Sequence, residues 1–340
     1  MDAPPDWVSL NDDALLEKRI SQLGLQLADS KLQPLIQQLY AELSQKRLVF
    51  HPPCHVGDEW FVPVGVPAIF IPFFLVHDRL RQLERRLMLE VEGDTPEWFM
   101  KLIRHEAAHA YAYAYQVFKK RAWQRVFGRS SAEGTPSFYR PRPYSRSFVV
   151  HLDDWYAQSH PTEDFAETFA VWLPRNSRWR SQYTGWPALR KLQYVDATMR
   201  NLHGKRAVSL NREVIEPLAD NTRTLREHYR RKQRRYELNT ARTYDRRLLR
   251  VFGTAEDHPA SPQASRFLRK VQPQVERLMI RRARMHPYLV QHVLKIATQR
   301  ARLMNLRLSQ NQRDTKRAVL VMLERIMLEM LLRDRENYAL

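Results

Sequence analysis

A chain of 340 residues, 44% of them hydrophobic, can bury a sizeable core and is long enough for more than one domain. Only 9 residues are glycine, so few positions reach positive φ without steric cost; this argues against a tight-turn all-β fold and for a helix-rich α+β one. The net charge of +19 is unevenly placed, with 25 Lys/Arg against 23 Asp/Glu in residues 1–200 and 31 against 14 in residues 201–340, which predicts an acidic partner for the C-terminal part: nucleic acid, an acidic protein or an anionic membrane surface.

A single cysteine, Cys54, rules out an intrachain disulfide and suits a reducing compartment. The acidic start of the chain lacks the apolar run of a signal peptide. The longest apolar stretch, Phe61 to Val76, is interrupted by Pro63, Gly65, Pro67 and Pro72 and is too short to span a bilayer. A cytoplasmic protein without a membrane span is the expectation.

In chain order, leucines at helical spacing over residues 13–47 predict two helices broken near Ala28–Lys31. Short aromatic and β-branched runs at Leu48–Phe50, Trp60–Val62 and Ala68–Leu75 predict strands, the last near a sheet edge because Pro72 has no N–H to donate. Leu80, Leu83, Leu87 and Leu89 mark a helix over 77–91. The next helix has Asp94 or Thr95 as its cap and Pro96 in its first turn, and the spacing carries it to about Phe127, with Gly128 as the stop. Residues 129–145 read as loop and Ser147–Leu152 as a short strand. A compact helix starts near His160 and Pro161 and stops at Pro174. Helices over 188–202, 210–237, 240–252, 263–284, 286–307 and 310–337 complete the chain, with a linker at Pro259–Pro262.

His105, Glu106, Ala107, Ala108 and His109 spell H-E-x-x-H inside the helix that starts at Pro96. Residues i and i+4 share a helix face, so both imidazoles can grip one metal ion, and Glu106 can reach a water on it. A catalytic zinc needs a third protein ligand and an open position. Glu163 and Glu167 are also i and i+4 and share a face of the following compact helix. One carboxylate can bind the metal while the other accepts the N–H of a ligating histidine and fixes its tautomer. His51, Cys54 and His55 are a weaker group, set among prolines with no matching second pair.

RHEAAHA followed some fifty residues later by YAQSHPTEDFAETFA resembles the zincin metallopeptidases whose third ligand is a glutamate, in particular the zinc-binding metallopeptidase group and the catalytic domain of anthrax lethal factor. The resemblance covers about residues 60–175. It implies a zinc-dependent peptidase with His105, His109 and Glu163 as metal ligands, Glu106 as general base and Glu167 as the partner of a ligating histidine. It further implies Tyr156, seven residues before Glu163, as the oxyanion-stabilising phenol, with His151, His160 and Tyr144 as rival donors. Phe148–Val150 or Ala68–Leu75 would be the edge strand that holds substrate backbone. Together with the helical spacing and charge of the remaining chain, the expected architecture is an N-terminal helical segment (1–47), a zincin-like core with a small mixed sheet (48–187) and a basic all-helical domain (188–340).

The densest basic run, Arg223 to Arg250, includes Arg230, Arg231, Arg234 and Arg235, with Tyr229, Tyr236 and Tyr244 interleaved. Arginine and tyrosine together can hold phosphates and stack on bases, but no zinc finger, RNP motif or GXXG loop accompanies them. A solvated or partner-docking face is therefore favoured over nucleic-acid binding. The apolar run from Val319 to Leu332 predicts a buried helix, packed on the core or forming a dimer seam. The rival to a peptidase is a zincin-scaffold binding protein whose basic helices bind nucleic acid or an acidic partner; the intact Glu106 favours the enzyme.

Overall fold

The computed structural model describes residues 5–88, 91–128, 142, 144–208, 218–235, 240–282 and 287–336. The leucines of residues 13–27 do not make one long helix. They build α1 (Asp12–Leu16) and a 3-10 turn (Ile20–Leu23) that Gly24 ends at φ 59°, a left-handed conformation that costs glycine little. Asn11 caps α1 by accepting the Ala14 N–H. α2 (Gln33–Gln45) follows, with Pro34 in its first turn.

The strands differ from the expected set. Leu48–Phe50 is irregular, and Cys54–Gly57 forms β1, parallel to β2 (Ile69–Pro72), with Cys54 opposite Ile69 and Gly57 opposite Pro72. Of Trp60–Val62, Phe61 makes an antiparallel bridge to Phe70, so the small sheet is mixed. β2 stops at Pro72 and the chain turns into a 3-10 segment, Phe73–Leu75, which leaves half of the expected Ala68–Leu75 strand. Gly57 permits the close pairing: a Cβ there would lie 3.0 Å from the Phe70 Cβ.

α3 (Asp78–Met88) precedes α4 (Pro96–Ala114), which Thr95 caps by accepting the Trp98 N–H. α4 ends well before Phe127 because Gln116 takes φ 49°. The chain resumes as α5 (Arg121–Phe127). α6 (Pro161–Trp172), α7 (Trp179–Gln182), α8 (Leu189–Arg200) and α9 (Leu225–Arg235) follow. Between α5 and α6, Ser147–Leu152 is not a strand. The Val150 N–H donates to the Tyr183 hydroxyl (3.1 Å) and the Leu152 N–H to Glu167 Oε2 (2.8 Å), so side chains take the place of a ladder.

The core of this part lies where α4 meets α6. Ala107, Ala108, Ala110 and Ala114 on α4 and Ala166 and Ala170 on α6 are fully buried. Side chains this small let the two backbones approach closely, and Phe169 fills the space beside them against Tyr111 and Trp172. Arg104 clamps Glu42 of α2 through two hydrogen bonds, and Lys191 of α8 pairs with Asp164 of α6 at 2.6 Å.

The chain divides into two compact units between Arg230 and Arg231, inside α9, and α8 packs on α6 in the first of them. The second unit holds α10 (Thr240–Val251), β3 (Phe252–Gly253), α11 (Ala264–Arg282), α12 (Pro287–Leu303), β4 (Arg307–Leu308) and α13 (Gln312–Glu336). It is helical except for the two-residue antiparallel pair β3–β4. Leu248, Val275, Leu294, Ala297 and Leu323 anchor a core of its own. Val319, Met322 and Ile326 of α13 point into that core and Val321 is exposed, so α13 is not apolar all round over its described side chains. Side chains beyond Ile326 lie outside the described residues.

Phe169→Ala removes the buried ring that packs on Tyr111 and Trp172 at the α4–α6 contact and is expected to destabilise the protein by about 3–5 kcal/mol. The urea midpoint should fall with the slope unchanged; a loss under about 1 kcal/mol would show that this contact does not hold the helices together.

Candidate metal centre

α4 and α6 place three side chains around one point and a fourth behind them. His105 Nε2 lies 2.9 Å from Glu163 Oε2, His109 Nε2 lies 3.2 Å from the same oxygen, and the two ring nitrogens are 3.1 Å apart. Behind them, His105 Nδ1 faces Glu167 Oε1 at 2.8 Å. Both i, i+4 pairs therefore meet face to face. His105 reaches Glu163 with one nitrogen and Glu167 with the other.

Electrostatics define what this point demands. Burial opposes a charge on His105, but its hydrogen bonds to Glu163 and Glu167 outweigh burial and hold its pKa well above the ordinary imidazole value. Burial likewise opposes ionisation of Glu163, and the two histidines outweigh it, holding the carboxyl well below the ordinary glutamate range. Burial raises the Glu106 carboxyl, which is fully enclosed on the next position of α4. Several carboxyl groups thus surround one buried position, and a proton on His105 supplies the positive charge. A metal ion can take that proton's place.

The donor atoms fit that role. His105, His109 and Glu163 form the one group of metal-ligand type found among the described residues. A tetrahedral ion at 2.0–2.1 Å from its ligands separates them by about 3.3 Å, close to the separations found here. With Nδ1–H of His105 bound to Glu167, the Nε2 lone pair is directed to the centre. Exposure is graded: the side chain of His109 is 17% exposed against 4% for His105 and 8% for Glu163, so the centre opens on the His109 side.

The remaining expected site residues fall into distinct places. The Tyr156 ring is 5.7 Å from that of His105 and half-buried, which brings it to the centre. Its neighbour Trp155 holds φ 54°, a costly conformation for an aromatic residue and of the kind that clusters at functional sites. His151 is anchored through Nε2 to the Lys101 carbonyl (3.0 Å), while the Lys101 ammonium donates to the His151 carbonyl. Burial lowers the His151 pKa, so the ring is neutral with its proton engaged and cannot donate to an oxyanion. His160 caps α6: its Nδ1 accepts the Thr162 N–H, which leaves the proton on Nε2, a buried atom without a hydrogen-bond partner. Tyr144 is exposed, its ring meeting Trp155 edge-on, and it makes no hydrogen bond to the cluster.

Two residues escaped the sequence reading. Tyr113 sits one turn beyond His109, and its phenol is raised by burial and by the charge of Glu163; the i+4 spacing from His109 was the available signal. The Thr162 hydroxyl lies between His160 Nδ1 (2.7 Å) and the second oxygen of Glu163 (3.3 Å). His51, Cys54 and His55 do not gather. His51 bonds Ser44, and the Cys54 thiol lies against Tyr40, its pKa pushed up to about 12 by burial.

At the edges of the expected basic run, Arg223 pairs with Asp58 and Arg226 with Glu17, while Tyr229 and Tyr244 are buried and offer no stacking face. Arg230 and Arg231 are exposed; the side chains of Arg234 and Arg235, and all of Tyr236, lie outside the described residues. No protein-family profile, curated protein or solved structure matches the chain.

A pH dependence follows for the metal-free protein. The His105 contribution is complete below the ordinary imidazole value of 6.5 and disappears as pH rises through its raised folded value; the Glu163 contribution is complete above 4.5 and disappears as pH falls through its depressed one. Glu106, raised by burial, costs stability as pH rises, in the same direction as His105. In the presence of a chelator the thermal midpoint should therefore fall between about pH 6 and about pH 8. Saturating divalent metal should remove that fall. A chelated protein with a flat profile over this range would exclude the assigned pairing.

Proposed function

We propose that the chain is a zinc-dependent peptidase of zincin type. The observation that supports this reading is the convergence of His105 Nε2, His109 Nε2 and Glu163 Oε2, with Glu167 bound behind His105 and Glu106 enclosed beside it. Two nitrogens and one carboxylate oxygen are the donor set of a catalytic zinc site, and they leave a fourth position for water or substrate. Zinc held there supplies a Lewis acid and lowers the pKa of a water toward neutrality.

The protein's own groups do the rest. Glu163 and the histidines bind, and Glu167 keeps the His105 tautomer that presents its lone pair. Glu106, its carboxyl raised by burial, accepts a proton from the attacking water and returns it to the leaving amine. The Tyr156 hydroxyl donates to the oxyanion that develops on the scissile carbonyl, and His160 Nε2 is the alternative donor. Substrate enters on the side of His109 and Tyr113, where burial is least.

Two substitutions separate binding from chemistry. Purified protein is expected to carry about one zinc per chain. Glu163→Ala should lose it, while Glu106→Gln should keep it and lower the cleavage rate of an unfolded-protein or peptide library by about 10²-fold or more. Zinc retained in full by the first variant would remove Glu163 from the ligand set; equal cleavage by the second would overturn the assigned base.

A further inference from the structure

Outside the metal centre, the strongest unassigned feature is the surface of the second unit formed by α11 and α13. Arg266, Arg269, Lys270 and Arg277 are exposed and recur at three-, four- and seven-residue intervals along α11, while Ala264, Phe267, Leu268, Val271 and Val275 face the core. One face of the helix is thus a row of cations. α13 lies beside it. Lys270 donates to Gln312 at 3.4 Å and Lys316 donates to Gln274, which adds Arg313 and Lys316 to the same surface.

Two acids flank it: Glu276 accepts from Gln272 at 2.8 Å, and Asp314 accepts from Asn311 and lies 3.9 Å from Arg317. Elsewhere among the described residues of the unit, Arg300 pairs with Asp245 and joins α12 to α10. A row from Arg266 to Arg277 extends about 16 Å along the helix axis, enough to face roughly five phosphates of one strand.

We propose that this α11–α13 face binds duplex nucleic acid through its phosphates, without reading bases. Among the described side chains of this unit the aromatic ones, Tyr244, Phe252 and Phe267, are all buried, which favours the duplex over a single strand. Single-strand binders rely on exposed rings for much of their affinity, whereas a duplex offers twice the phosphate density along its axis. Guanidinium groups in fixed rows suit phosphate oxygens, and the amides of Gln312 and Gln274 on this face are engaged by Lys270 and Lys316. The site is independent of the metal centre.

The test uses the full chain with a chelator present and follows anisotropy of a labelled 20-base-pair DNA of arbitrary sequence. Binding is expected at low salt, with a log–log salt slope of about −5 for roughly six phosphate contacts. The triple variant R266Q/R269Q/R277Q should flatten the slope by about 3 and weaken binding by about 10²-fold at 0.1 M salt. R121Q/R125Q/R175Q, which removes the same charge from exposed positions of the first unit, should leave the slope unchanged. Absence of duplex binding at low salt, or equal losses in the two triple variants, overturns the proposal. So does tighter binding of a single strand of equal length, or of polyglutamate, which would assign the face to an acidic protein.

Discussion

The candidate metal centre forms because two helices come close enough for one imidazole to be held at both ends. His105 touches Glu163 with one nitrogen and Glu167 with the other, and those carboxylates are one helical turn apart on α6. Such a bond pair fixes the distance and the rotation of α4 against α6 at once. It requires alanines where the helices meet, since larger side chains at Ala107, Ala108, Ala166 or Ala170 would hold the backbones apart. The aromatic packing around Phe169 and the Arg104–Glu42 clamp then support an approach that the buried charges alone would resist.

That arrangement also accounts for the uneven distribution of polar groups. Glu106, Glu163, Asp164 and Glu167 are all buried, a concentration of acid that is costly unless each member has a role or a partner. Asp164 turns away to Lys191, and burial still raises its carboxyl to about 7. Glu163 and Glu167 are satisfied by histidine. Burial also disfavours the ionisation of Glu106, and a raised carboxyl is what a proton acceptor in the proposed peptidase needs.

Local spacing made the centre legible and left the surroundings obscure. His105, His109, Glu163 and Glu167 are visible in the sequence because helical period converts i, i+4 into a shared face, and both segments are long enough to be helical on alanine content and caps alone. What spacing cannot state is where a run of good helix formers is cut. α4 stops at Ala114 because Gln116 adopts a left-handed backbone, a decision of tertiary packing rather than of propensity. Ser147–Leu152 has strand composition, yet its N–H groups are claimed by Tyr183 and Glu167, residues far along the chain. The basic run around Arg230 looked continuous as sequence, whereas the fold pairs Arg223 with Asp58 and Arg226 with Glu17 and leaves Arg230 and Arg231 exposed.

Glu167 has a consequence of its own. One of its oxygens holds the His105 ring and the other holds the backbone at Leu152. The loop before α6 and the orientation of the imidazole are therefore joined through a single rigid carboxylate. By thermodynamic reciprocity, whatever orders that loop strengthens the grip of His105, and an occupant held by His105 orders the loop in return, by the same free energy.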